Sequence, residues 1–115
     1  MASTQTKKHT ASHKFARIAP RKARLVADQI RGKGIEDALA TLEFSPRRGA
    51  WFIKSVLRSA IANAEEANLD VGRLFVSESR VDEGPTIKRF QPKDRGRSHP
   101  IMKRTSHIHV AVDVR

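Results

Sequence analysis

The sequence predicts an α+β fold: three helices packed on a small antiparallel sheet, with a long β-hairpin protruding from it. Three observations lead there. Three segments between residues 20 and 67 carry apolar side chains at the i, i+3, i+4, i+7 spacing of one helix face. The C-terminal run "TSHIHVAVDV" alternates residue by residue, as a strand does. Between that run and the other strand-like segment lies "KRFQPKDRGRSHPIMKR", residues 88–104. It is far longer than the roughly two to five residues of an ordinary hairpin connection.

The elements follow in chain order. "MASTQTKKHTAS", residues 1–12, has no apolar period and reads as a flexible basic tail; residues 13–115 read as one domain. "HKFARIA", residues 13–19, is a candidate edge strand. In "APRKARLVADQIRGKG", Pro20 suits a first helical position, Ala23, Val26, Ala27 and Ile30 form the buried stripe, and Gly32 and Gly34 let the chain leave the helix. "IEDALATLEF" repeats the stripe with Ile35, Ala38, Leu39 and Leu42, and Glu36 and Asp37 fall in its favourable first turn. A third, longer helix is expected to open with Ser45 as N-cap and Pro46 at the first position. Its stripe is Ala50, Ile53, Leu57, Ala60, Ala64 and Ala67. "RLFVSESRV" is a weaker alternation and the expected partner of the last strand. In that strand Ile108, Val110, Val112 and Val114 face the core, and His107, His109, Ala111 and Asp113 the wet side.

The long connection has too few apolar groups for a core of its own: Ile87, Phe90, Ile101 and Met102. If both strands continue past the body, the hairpin spans about residues 82–106 with its tip near Lys93 to Gly96. Arms of about twelve residues then reach about 40 Å. A ribbon that long needs a partner to hold it, because two strands alone are marginal in water.

Charge indicates the partner. The chain carries a net +11. Residues 1–24 hold seven Lys or Arg and no acid, residues 25–83 eight basic and ten acidic side chains, and residues 84–115 eight basic and two acidic. The middle is an ordinary globular body, while both flanks are cationic. Folded platforms with nucleic-acid-binding extensions have this layout. An acidic membrane surface is the other polyanion such a charge could meet; no window approaches the roughly 18 apolar residues of a spanning helix, and the expected partners include no membrane. The first 24 residues show no secretory pattern. The chain has no cysteine, which excludes disulfides and thiolate metal sites.

Several residues admit two readings. Arg17, Arg21, Lys22 and Arg24 either decorate a helix or meet phosphates, and the lack of any acid before Asp28 favours phosphates. Arg47, Lys54 and Arg58 cluster on the polar face of the third helix with Trp51 beside them. Trp51 either packs at the rim of the core or stacks on a base or an Arg plane. His107 and His109 share a strand face, but no third metal ligand is in view. Lys33 lacks the glycine spacing of a phosphate loop. No nucleophile motif, carboxylate pair or metal cluster points to an enzyme, and no cofactor is expected. A helix-turn-helix DNA-binding protein, with Arg47 and Arg48 opening the recognition helix, is the alternative. It leaves residues 88–104 without a task.

Three stretches together carry a resemblance. "SPRRGAWFIKSVLRSAIANAEEAN", "VDEGPTIKRFQPKDRGR" and "KRTSHIHVAV", with "RIAPRKARLVADQIRGK" before them, resemble the bacterial large-subunit ribosomal protein twenty-two family, from about residue 13 to the C-terminus. The resemblance implies an α+β body on the outer surface of the large ribosomal subunit of the cytoplasmic ribosome. It implies binding to large-subunit ribosomal RNA, help in subunit assembly, and a hairpin lining the nascent-peptide exit tunnel. It also implies a tip opposite a loop of large-subunit ribosomal protein four, contact with the nascent polypeptide, and hairpin changes associated with macrolide resistance. On this sequence the RNA-binding residues would be Lys14, Arg17, Arg21, Lys22, Arg24, Lys88, Arg89, Lys93, Arg95, Arg97, Lys103 and Arg104. The tunnel-lining tip would be Lys88, Arg89, Phe90, Gln91, Pro92, Lys93, Asp94, Arg95, Gly96 and Arg97. The chain departs from the pattern at Lys93-Asp94, where the family more often has Arg followed by a small residue. A carboxylate near phosphates is unfavourable unless it meets a cation or faces solvent.

Overall fold

The computed structural model describes residues 9–93 and 97–114. The order is β1 (His9–Ala16), α1 (Pro20–Ile30), α2 (Ile35–Phe44), α3 (Arg48–Glu66), a short 3-10 turn (Val71–Arg73), β2 (Leu74–Glu83), β3 (Ile87–Lys93), β4 (Arg97–Lys103) and β5 (Ser106–Val114). Strands β1, β5 and β2 form an antiparallel sheet with β5 in the centre, and β3 pairs with β4 as a separate ribbon. The three helices pack on this sheet, as the periodicities predict.

The core comes from the expected stripes. Ala23, Val26, Ala27 and Ile30 of α1, Ile35, Ala38 and Leu42 of α2, and Ala50, Ile53, Leu57, Ala60 and Ala64 of α3 are buried against Leu74, Val76, Val81, Ile108, Val110 and Val112. Leu39 packs on this core partly buried. Pro20 begins α1, where its missing N–H is no loss. Gly32 has φ +83°, a conformation that glycine tolerates best. From there the loop runs along β2: Gly32 N donates to Val76 O, and Val76 N to Lys33 O, each at 2.9 Å.

The structure corrects four local expectations. First, α3 begins at Arg48 with Arg47 as N-cap; the Ser45 hydroxyl instead accepts from the Arg47 N–H at 3.3 Å, closing a turn before the helix. Second, Ala67 is exposed, because α3 ends at Glu66, whereas Phe52 and Val56 widen the buried face. Third, β1 starts at His9, so His9–Ser12 pair with Val112 to His109 rather than belonging to a tail. Fourth, the outer side of β5 is only partly wet. Ala111 and Asp113 are buried there, where β1 and β2 flank the strand on both sides.

Two irregularities shape the sheet. In β1 the pairing passes from His13↔Ile108 to Ala16↔Ser106, leaving Lys14 and Phe15 opposite one residue, a β-bulge. Phe15 takes φ +61° there, and its N–H donates to His107 Nδ1 at 3.1 Å. In β2 the register shifts between Val76 and Glu78, which explains why "RLFVSESRV" alternates poorly.

The hairpin grows directly from β2 and β5. Seven antiparallel pairs run from Ile87↔Lys103 to Lys93↔Arg97. The joint between body and ribbon is Gly84-Pro85-Thr86 on one arm and Arg104-Thr105 on the other. Gly84 N donates to Thr105 O at 2.9 Å, and the Thr105 hydroxyl donates to Pro85 O at 2.6 Å. A Cβ on Gly84 would stand 2.5 Å from Thr105 Oγ1, so the close approach of the arms requires glycine. Pro92 lies inside β3, opposite Ser98, rather than in the turn.

Candidate nucleic-acid interface

The charge layout of the flanks becomes a site where three elements meet. A groove of about 890 Å³ is lined by Arg17, Ile18 and Ala19 of the β1–α1 turn, Lys22 and Leu25 of α1, Arg47, Arg48 and Gly49 at the start of α3, and Lys103 and Arg104 at the root of the hairpin. Six of these ten residues are cationic and none is acidic. Among the described residues none of the six forms an ion pair, whereas Arg31, Lys54 and Arg80 all do. Arg48 makes a different contact, its guanidinium 5.7 Å from the centre of the Phe52 ring.

The backbone adds to this field. Ala19 and Arg47 are the N-caps of α1 and α3, and neither helix end receives a side-chain cap or an acid in its first turn. Two positive helix ends therefore face the same groove. The floor is apolar: Ile18 is buried and Leu25 half exposed. Cations around an apolar floor match a strand of phosphates with sugars and bases between them.

Hydrogen bonds to backbone carbonyls hold the groove in place. The Ser106 hydroxyl donates to Ile18 O at 2.6 Å, tying the β1–α1 turn to the start of β5. Arg24 Nε donates to Val81 O at 3.1 Å, tying α1 to β2. The site is thus fixed before any partner arrives, although six crowded cations repel one another.

Of the residues expected to bind RNA, the structure brings Arg17, Lys22, Lys103 and Arg104 together. Lys14 lies in the β1 bulge, and Arg21 on α1; both are exposed and outside the groove. The bond to Val81 gives Arg24 a structural contact as well. Strand β3 carries Lys88, Arg89, Phe90, Gln91, Pro92 and Lys93, and β4 opens at Arg97. Asp94, Arg95 and Gly96, expected at the tip, lie outside the described residues, as do residues 1–8 of the expected tail. Arg47 and Arg48 are the groove residues that were not singled out for RNA. Their signal was the pair of arginines directly before a helix. A helix-turn-helix would aim them into a DNA groove of their own, but here they share a groove with the hairpin root.

On the outer sheet face both histidines are engaged by protein groups. His109 Nε2 lies 3.2 Å from Asp82 Oδ2 and its Nδ1 2.8 Å from the Ser12 hydroxyl, while His107 accepts from Phe15. Trp51 is exposed rather than at the rim of the core. Glu43 is paired with Lys54, whose hydrogen bond and charge hold its carboxyl below the usual range.

Fold and groove define a small basic α+β protein with a cationic groove at the root of a β-ribbon. Comparison with known proteins gives the family: the chain belongs to the ribosomal protein L22p/L17e family, which it matches over residues 11–113. It is 56% identical over 106 residues to the large ribosomal subunit protein uL22 of Ligilactobacillus salivarius, covering 91% of this chain and 92% of that one. It is 57% identical over 104 residues to the uL22 of Lacticaseibacillus casei, covering 90% and 89%. With the uL22 of Desulfosudis oleivorans it shares 50% identity over 103 residues, 90% of each chain.

Proposed function

We propose that this protein is a structural constituent of the large ribosomal subunit, not an enzyme, and that it binds ribosomal RNA, assists subunit assembly and lines the nascent-peptide exit tunnel with its hairpin. Family membership and the identity of the relatives as large ribosomal subunit proteins support the first part. The observation that carries the RNA reading is the groove, where six cations with no ion pair among the described residues and two helix ends without side-chain caps meet at the root of the hairpin.

In this reading Arg17, Lys22, Arg47, Arg48, Lys103 and Arg104 hold the body on phosphates, and Lys14 and Arg21 extend that contact. Lys88, Arg89, Lys93, Arg95 and Arg97 hold the ribbon along its length. Each phosphate neutralised releases counterions, so affinity falls steeply with salt. Cationic stems cover apolar surface while their heads reach RNA. The tip, from Lys88 to Arg97, then offers a nascent polypeptide a polar wall, opposite large-subunit ribosomal protein four.

The test uses ribosomes carrying the protein with Ile87, Lys88 and Arg89 deleted. Subunits are expected to assemble, because the groove is untouched. The ribbon loses a residue triplet on one arm only, so the tip shifts. Stalling of arrest-prone nascent chains and macrolide sensitivity are expected to change. Equal behaviour in both assays, with the shortened protein confirmed in the particle, overturns the tunnel part of the reading.

A further inference from the structure

Trp51 stands on α3 one turn after the groove arginines, with 67% of its surface exposed. Its neighbour Phe52 is 8% exposed and supports it edge-on, the ring centres 4.9 Å apart at 79°. Phe52 is held in turn by His13, 5.6 Å away, and by the Arg48 guanidinium. The indole is therefore an exposed ring on a braced support.

Its surroundings indicate what covers it. At 100° per residue, Arg47, Lys54 and Arg58 fall within about 60° of Trp51 around α3. Lys54 is engaged by Glu43, whose carboxyl also feels the charge of Arg58, while neither Arg47 nor Arg58 forms an ion pair among the described residues. Arg47 also lines the groove, so cations stand both at the hairpin root and on the side of α3 that carries the indole. A protein neighbour with an apolar patch would have to desolvate these cations without compensation. A nucleic acid strand neutralises them and supplies a flat π-face at the same time.

We propose that Trp51 is a stacking platform for an unpaired RNA base, whose flanking phosphates lie on Arg47 and Arg58. This deepens the RNA-binding reading above and rests on it. The ligand class is single-stranded RNA, a loop or a bulge, because a continuous duplex keeps its base faces covered.

The chain has one Trp and no Tyr, so indole fluorescence reports on this ring alone. The full chain is titrated with single-stranded oligoadenylate, with an RNA duplex of equal length, and with heparin, a polyanion without bases. Saturable quenching is expected with oligoadenylate and not with heparin, and the duplex is expected to quench less than the single strand. Trp51→Leu is expected to weaken oligoadenylate binding about tenfold, the scale of one lost base stack, with the salt slope unchanged. Trp51→Phe is expected to restore most of the affinity. Circular dichroism confirms the fold of both variants. Normal, salt-dependent RNA binding with no quenching, and a Trp51→Leu affinity equal to wild type, overturns the platform and leaves the RNA reading standing. Absence of RNA binding overturns both. A blue shift that needs total large-subunit proteins and does not occur on RNA places a protein at the ring, and also overturns the proposal.

Discussion

Gly84→Ala tests whether the hairpin is built into the body or merely attached to it. The added methyl would lie 2.5 Å from Thr105 Oγ1 and 3.2 Å from the Thr105 carbonyl carbon and oxygen. Contacts under about 3 Å are not sustained, so the arms must part by several tenths of an ångström. That motion pulls on the 2.9 Å bond from Gly84 N to Thr105 O and on the 2.6 Å bond from the Thr105 hydroxyl to Pro85 O. Thr105 is buried, so a hydroxyl that loses its acceptor there costs about 1–3 kcal/mol. With overpacking of about 1 kcal/mol added, the total is about 2–4 kcal/mol. For a domain of this size that lowers Tm by roughly 8–16 °C. Thermal melting of the full chain followed by circular dichroism measures it. Thr105→Ala removes the oxygen that the methyl meets, so the double variant is expected to lose less than the sum of the singles, by about 1 kcal/mol. If Gly84→Ala melts with the wild type, or the two losses simply add, the joint is looser than described and the reasoning fails.

Two further outcomes are expected. Replacing Arg89 to Ile101 by Asn-Gly leaves the Lys88↔Met102 pair flanking a two-residue turn. Tm is expected to stay near wild type, because among the described residues the helices and the three-stranded sheet supply the buried core; a large drop would make the ribbon part of the core. Glu43→Gln tests the Lys54 pair. A carboxyl with a lowered folded pKa adds stability above the ordinary carboxylate range and loses it as pH falls through the lowered value. A small melting difference from wild type is therefore expected near pH 7, shrinking in acid and in high salt. A difference that grows in acid contradicts the pairing.

How much of this was legible in the sequence depended on whether one physical signal acted alone. The stripes of α1 and α2 and the core-facing side of β5 are legible, because burial on one face decides them; the other side of β5 is not, since Ala111 and Asp113 are buried as well. The start of α3 was misplaced because Ser45 and Pro46 suit a cap equally well in either frame, and the Ser45 hydroxyl went to a preceding turn. The bulge in β2 interrupts its period, and the bulge in β1 hides that the strand begins at His9. Of the groove, Arg17, Lys22, Lys103 and Arg104 were visible as unpaired charge. That they converge, and that Arg47, Arg48 and two helix ends join them, depends on packing between segments far apart in the chain. Arg24 illustrates the reverse: the same charge pattern holds a cation whose guanidinium reaches the Val81 carbonyl.

The measurement that tests the central claim most directly is a map of the large ribosomal subunit containing this protein. The account predicts Arg17, Lys22, Arg47, Arg48, Lys103 and Arg104 within about 4 Å of RNA phosphate oxygens, the reach of an ion pair. A groove open to solvent, or filled by another protein while RNA lies elsewhere, would contradict it.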